Sequence, residues 1–199
     1  MILVEETQVP EAALPVEALK RHLRLGSGFA EDDVQEPVLA SFLRAAMAAI
    51  EARCSKALIA RGFVMTVNAW RDAEAQALPL APVNAVSALT LVDAYGAATD
   101  LDAARYRLEK DGFVPRLRGA GGCLPTIPTG GSAEIRFQAG FGAEFADLPA
   151  DLQQAVLLLA AHYYEYRHET ALGDGCMPFG VTSLIQRYRT VRFGSGVVQ

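Results

Sequence analysis

Lysine is scarce in this chain. Only Lys20, Lys56 and Lys110 occur among 18 basic residues, and 23 acidic residues leave a net charge of −5 with a pI near 5.2. A surface of that sign does not coat nucleic acid non-specifically. Cysteine is scarce too: Cys54, Cys123 and Cys176 are odd in number, far apart and without CxxC or zinc-ligand spacing, so reduced thiols are expected. No apolar run approaches the ~20 residues of a membrane span. No basic segment precedes the short apolar start MILVEETQVP, so no signal peptide is expected. The glycine-rich stretches at 119–122 and 140–142 match neither GxGxxG nor a loop ending in Gly-Lys-Ser/Thr, and no GxSxG occurs. Internal repeats and low-complexity tracts are absent as well.

What remains is a globular composition, 51% hydrophobic and 21% charged over 199 residues, enough for one domain or one domain with an insertion. The organising stretch is Leu148 to His168, LPADLQQAVLLLAAHYYEYRH. Leu152, Ala155, Val156, Leu159, Ala160 and Tyr163 recur at helical spacing. Pro149 suits a first turn, Asp147 and Asp151 sit at the positive end of the dipole, and Arg167 and His168 at the other. The middle, 155–161, is apolar on every side, which predicts burial in a core or between core and a neighbouring subunit.

Upstream, Val16, Leu19, Leu23 and Leu25 mark a short amphipathic helix ended by Gly26-Ser27-Gly28. Asp32 and Asp33 offer caps for a longer helix to about Ser55, with a buried stripe of Val38, Phe42, Ala45, Ala46, Ala49 and Ile50. Its many alanines permit close approach by another helix. The period then changes. Strands are expected within 59–70, 85–93 and 133–139, and 100–109 reads as a short turn followed by Tyr106-Arg107-Leu108. Residues 78–83 read as a proline-punctuated connector and 119–131 as a loop. Phe113 to Leu117 carries Pro115 and is therefore expected at a sheet edge.

Glu165-x-x-His168 has half of a di-metal helix motif, but no second ExxH exists, so an ordinary helix-end ion pair is expected and no metal or cofactor site is assigned. His162 and His168, six apart, point to different faces. No pair of carboxylates marks catalysis. One charge feature stands out: residues 175–199 contain three arginines and no acid, a charge of +3, so the rest carries −5 − 3 = −8. Arginine and aromatic residues suit interfaces, which singles out Arg187, Tyr188, Arg189, Val191, Arg192 and Phe193 as a binding segment. A helix over 178–189 is expected to pack on the core helix through Val181, Leu184, Ile185 and Tyr188. Residues 190–199 are expected to form an extended tail that adds to a partner.

The order LPADLQQAVLLLAAHYYEYRHE, then PFGVTSLIQRYR, resembles the carboxyl-terminal half of head–tail connector (adaptor) proteins of long-tailed bacteriophages and gene transfer agents. The short helix, acidic loop and long helix at the start, and the succession LPLAPVNAVSALTLVD, YRLEKDGFVPRL and AEIRFQAGFG, extend that resemblance. It implies an α+β fold: a connector-type helical bundle with a small β unit inserted between the second and third main helices. The divisions are 1–58 and 143–189 for the bundle, 59–142 for the β unit and 190–199 for the tail. It also implies a non-enzymatic ring, dodecameric in relatives, under the portal of a phage-like particle assembled in the bacterial cytoplasm. The ring would extend the DNA channel without specific DNA binding and dock the stopper or tail-side proteins. The six interface residues would then meet the portal. Two other classes compete with this reading, a small α+β enzyme with an unrecognised site and a helical DNA-binding module.

Overall fold

In a computed structural model that describes residues 1–25, 32–167 and 177–189 (32–34 by backbone alone), the core helix is the third of four, α3, Ala150–Glu165. Pro149 precedes it in extended conformation, and Asp147 closes a reciprocal capping contact with Glu144 one turn earlier. Leu152, Ala155, Val156, Leu159 and Ala160 are buried as their spacing predicts, and Tyr163 is half-buried. α3 lies between α2, Asp32–Cys54, and α4, Phe179–Ile185, while the short α1, Val16–His22, leans on both α2 and α3.

The face that α2 presents to α3 differs from the one expected. Ala46 and Ile50 are buried as expected, but beside Leu39, Leu43, Met47 and Cys54, whereas Val38 and Ala45 are exposed and Phe42 and Ala49 are half-buried. The expected stripe followed Val, Phe and Ala and was turned about the helix axis by roughly one position. Two leucines, a methionine and an isoleucine bury more apolar area per contact than alanines, and their side sets the phase. Phe42 still meets the Tyr164 ring edge-on at 6.2 Å.

Among the described residues the chain forms two antiparallel sheets. The larger contains β1, Ile2–Glu5; β2, Arg61–Val67; β4, Val83–Val92; β5, Ala98–Asp100; and β8, Ser132–Ala139. Its order is β1-β2-β8-β4-β5, so the last strand made is the central one. β8 shows why: Ala133, Ile135, Phe137 and Ala139 point to the core and alternate with Glu134, Arg136 and Gln138. Phe137 pairs with Phe63 of β2, and the two rings stack at 5.7 Å. The smaller sheet contains β3, Ala75–Ala77; β6, Tyr106–Glu109; and β7, Arg116–Gly119, in the order β3-β7-β6. Tyr106 and Leu117 from it join Met65, Leu89, Ile135 and Phe137 in a second core, separate from the helical one.

Two strand expectations change. β7 is central in its sheet, not an edge. Pro115 stands just before it, where only its carbonyl is used, accepting from Leu78 N at 2.9 Å. Residues 2–5, read earlier only for the lack of a leader, pair with β2 in the register Ile2↔Thr66 to Glu5↔Phe63. The sheet therefore draws on chain outside 59–142, and with four helices and eight strands among the described residues the fold is α+β and richer in sheet than a helical bundle with a small insert. Where β8 returns to the helices, Gly140 has φ +142, and a Cβ there would fall 2.3 Å from the Ala60 backbone, so the turn requires glycine.

Candidate assembly surface

α4 begins after Pro178 and buries Val181 and Ile185 against α3, with Leu184 half-buried beside them. A 3-10 turn, Gln186–Tyr188, then carries the chain back to the start of α3. There the Tyr188 hydroxyl donates to Asp151 Oδ1 at 2.7 Å. It accepts in turn from an Arg187 guanidinium nitrogen, Nη2, at 2.7 Å. Arg187 Nε lies 3.0 Å from Asp151 Oδ2, and its guanidinium covers the Tyr188 ring at 4.8 Å. Phe141 closes the other side, edge-on at 6.2 Å. Burial, followed by the bond to Asp151, pushes the Tyr188 hydroxyl pKa above its ordinary value. This clasp fastens the carboxyl-terminal segment to the amino-terminal turn of the core helix.

Of the six residues expected to meet a partner, Tyr188 turns inward, at 9% exposure, and holds the segment in place. Arg187 and Arg189 are exposed, the first with its charge shared by Asp151, the second in extended conformation with φ −72 and ψ 131. Val191, Arg192 and Phe193 lie outside the described residues, as do His168 and Cys176. Asp151 was counted from sequence only as a charge on the helix dipole. Its partnership with Tyr188, 37 positions away, had no local signal.

A second cluster joins the layers. Arg61, on β2 and 7% exposed, places Nε 2.8 Å from Glu5 of β1 and Nη2 2.8 Å from Glu51 of α2. Glu51 also accepts from Leu58 N at 2.7 Å. Burial alone would lower the guanidinium pKa, but Glu51 and Glu5 outweigh it and the net shift is upward. Lys56, buried just beyond α2, donates to the Gly112 carbonyl and lies 4.4 Å over the Phe113 ring. Burial lowers its pKa, while the nearby Cys54 and Asp111 act the other way. Each of these groups is engaged within the fold.

Among the described residues no three His, Cys, Asp or Glu side chains come together in a metal-like group. Cys54 is buried and Cys123 exposed, and no described helix is long and apolar enough to cross a membrane. What the surface does display is apolar: Ile2, Leu3 and Val4 on β1, Tyr95 in a turn fixed by Asp93, and Phe179 at the start of α4, 88% exposed.

Neither a protein-family model nor a curated protein matches the chain. Solved structures do, over almost its whole length. A chain of the neck of an empty gene transfer agent particle, computed with C6 symmetry, is 55% identical, with a TM-score of 0.90 over 98% of this chain and 99% of that one. A chain of the neck of the native particle, computed with C12 symmetry, is 52% identical with a TM-score of 0.84 and the same coverage. A chain of the virion of the native particle is 54% identical with a TM-score of 0.86, again at 98% and 99% coverage. The chain belongs to the family of neck proteins of gene transfer agent particles, a family of head–tail connectors.

Proposed function

We propose that this chain is a structural neck protein, a head–tail connector of a phage-like or gene transfer agent particle, and not an enzyme. The observation that carries this is likeness to neck chains at 55% identity from end to end, with no large part of either chain left over. The particles those chains belong to were computed with six- and twelve-fold symmetry, and that supports assembly of this chain into a ring. Its work is then binding geometry: a ring of copies continues the DNA passage and offers one face to the head and the other to the tail.

The finer reading is that residues 1–58 and 143–189 build the connector's helical part, 59–142 most of its β part, and 190–199 a tail for the portal. The clasp of Arg187 and Tyr188 on Asp151 supports it, because it fixes where that tail leaves the body. Arg189 and Arg192 would meet carboxylates there, with Val191 and Phe193 in apolar pockets. The −8 carried outside the last 25 residues suits a channel wall that DNA passes without sticking. Stopper or tail-side proteins would dock on the opposite face. Imaging of particles carrying a tagged copy of the chain tests the placement. Density at the portal vertex is expected, and a tag found only at the tail tip, or absent from particles, refutes it.

A further inference from the structure

The two sheets share one core, since Tyr106 and Leu117 of the smaller pack among Met65, Leu89, Ile135 and Phe137 of the larger. Side chains alternate across a strand, so the positions between these point away from that core. The β unit therefore has two outer faces, on opposite sides, and they differ in charge. The outer face of the smaller sheet is basic. Arg107 of β6 stands directly opposite Arg118 of β7, and Glu109 opposite Arg116. Ala75 and Ala77 of β3 complete the ladder on that side and add no bulk. Arg107, Arg116 and Glu109 are exposed and Arg118 is half-buried. The bond from Arg118, with the charges of Arg116 and Arg107 behind it, holds the Glu109 carboxyl below the usual range. One carboxylate serves three guanidinium groups, and the face carries a net +2. Like charges set opposite each other in a ladder cost stability, so this face gains by meeting further carboxylates.

The outer face of the larger sheet has the opposite sign. Glu134 and Arg136 of β8 point outward, 3.2 Å apart. Asp100 of β5 shares a cross-strand row with Glu134 through Thr90, whose hydroxyl donates to it at 2.6 Å. Glu6, just past β1, reaches to 3.3 Å from Arg136. Here one guanidinium serves three carboxylates, and the face carries a net −2. Ile2 and Val4 lie on the same side, opposite Thr66 and Val64, and are 64% and 53% exposed.

We propose that the basic outer face of the smaller sheet packs on the acidic outer face of the larger sheet in the next copy of this chain. A cyclic ring needs two different patches on each chain, one for each neighbour. These two are opposite in position and equal and opposite in charge. Contact between like faces of two copies would be repulsive, which leaves the head-to-tail contact that a ring requires. Arginine can hold a carboxylate through two hydrogen bonds at once. The alanine flank of the basic face leaves room for Ile2 and Val4. A DNA backbone would match the basic face but leave the acidic face and its apolar flank open, whereas a second copy covers both. The proposal rests on the neck reading above, and the experiment separates the two.

The test is made in purified particles. Arg107→Glu with Arg116→Glu reverses the basic face, and Glu6→Lys with Glu134→Lys reverses the acidic one. Each pair should melt like the parent protein, yet its incorporation should fall by roughly tenfold or more. All four substitutions together restore opposite signs and should restore incorporation. Normal incorporation of either pair, or no recovery with all four, would overturn the proposal and leave the neck reading standing. Absence of the parent chain from particles would overturn both. A charge-preserving pair, Arg107→Lys with Arg116→Lys, covers the case of a reversed chain that fails to fold. Particles carrying it are treated with a carbodiimide, which joins an amine to a carboxylate without a spacer. A ladder of covalent oligomers is expected, with the introduced amines joined to Glu6, Glu134 or Asp100. The two faces look away from each other within one copy, so such a link can only join two copies. Links to another protein alone, or none, would overturn the proposal.

Discussion

Replacing Tyr188 by phenylalanine isolates the clasp at the start of α3. The ring stays, and with it the edge-on contact to Phe141. Only the hydroxyl is lost, with its donation to Asp151 and its acceptance from Arg187, both at 2.7 Å. A hydrogen bond to a charged acceptor contributes ~1.5–3 kcal/mol. Asp151 keeps Arg187 Nε and is 22% exposed, so water and the guanidinium recover part of that. A loss of roughly 1–1.5 kcal/mol is expected, which for a chain of this size is a fall in Tm of about 2–6 °C. Tyr188→Ala removes the ring as well and should cost about 3–5 kcal/mol. The difference between wild type and Tyr188→Phe should also depend on pH. The folded-state pKa of Tyr188 is raised, so its contribution is complete below the unfolded value of about 10 and declines above it, where the unfolded chain ionises first. The gap in stability should therefore narrow between about pH 8 and pH 11. Chemical denaturation at the two pH values measures it. Equal melting of wild type and Tyr188→Phe, or a loss as large as that of Tyr188→Ala, would show that the hydroxyl does not fasten the segment.

Leu159 is 1% exposed in the helical core, so Leu159→Ala should cost about 2–5 kcal/mol in denaturant, and Leu159→Asp should yield no soluble protein; unchanged melting of a soluble Asp variant would place the residue outside the core. Arg61→Leu leaves Glu51 with 13% exposure and no cation, and a loss of about 3–5 kcal/mol is expected. Glu5→Gln, at 39% exposure, should cost no more than ~1 kcal/mol; reversed magnitudes would mean that the triad is held from β1 rather than from α2. For the carboxyl terminus, a chain cut after Tyr188 should keep its melting temperature and fail to attach to portal-bearing heads, and equal attachment by cut and full-length chains would remove the tail from the portal contact.

The elements visible in the sequence are those whose pattern is complete within one segment. α3 announces itself by spacing, Pro149 and flanking charges, and β8 by strict alternation from Ala133 to Ala139. α2 was found in extent but not in phase, because alanine is compatible with either face and only the partner helix decides between them. β1, β3 and β5 are three or four residues long, too short to show a period; β1 and β3 exist because a distant strand pairs with them, and β5 because it folds back on β4 across the turn at Asp93 to Ala97. The same limit hid the candidate surface. Arg187 and Tyr188 stood out by composition, but which of them faces outward depends on Asp151.

The central place of β8 governs the order in which the molecule can be made. As the chain leaves the ribosome, β1 and β2 can pair across the two intervening helices, but β2 waits for Ala133 to Ala139 to complete its other side, and β4 waits with it. α2 likewise emerges long before α3, which follows β8 directly. Until that late segment is out, the Phe63 face of the sheet and the Leu43 face of α2 have nothing to pack on. Pairings so distant in sequence make folding slow and leave apolar surface open meanwhile. A ribosome that stalls before β8 therefore releases a chain with neither core closed, and subunits for the neck come only from complete translation.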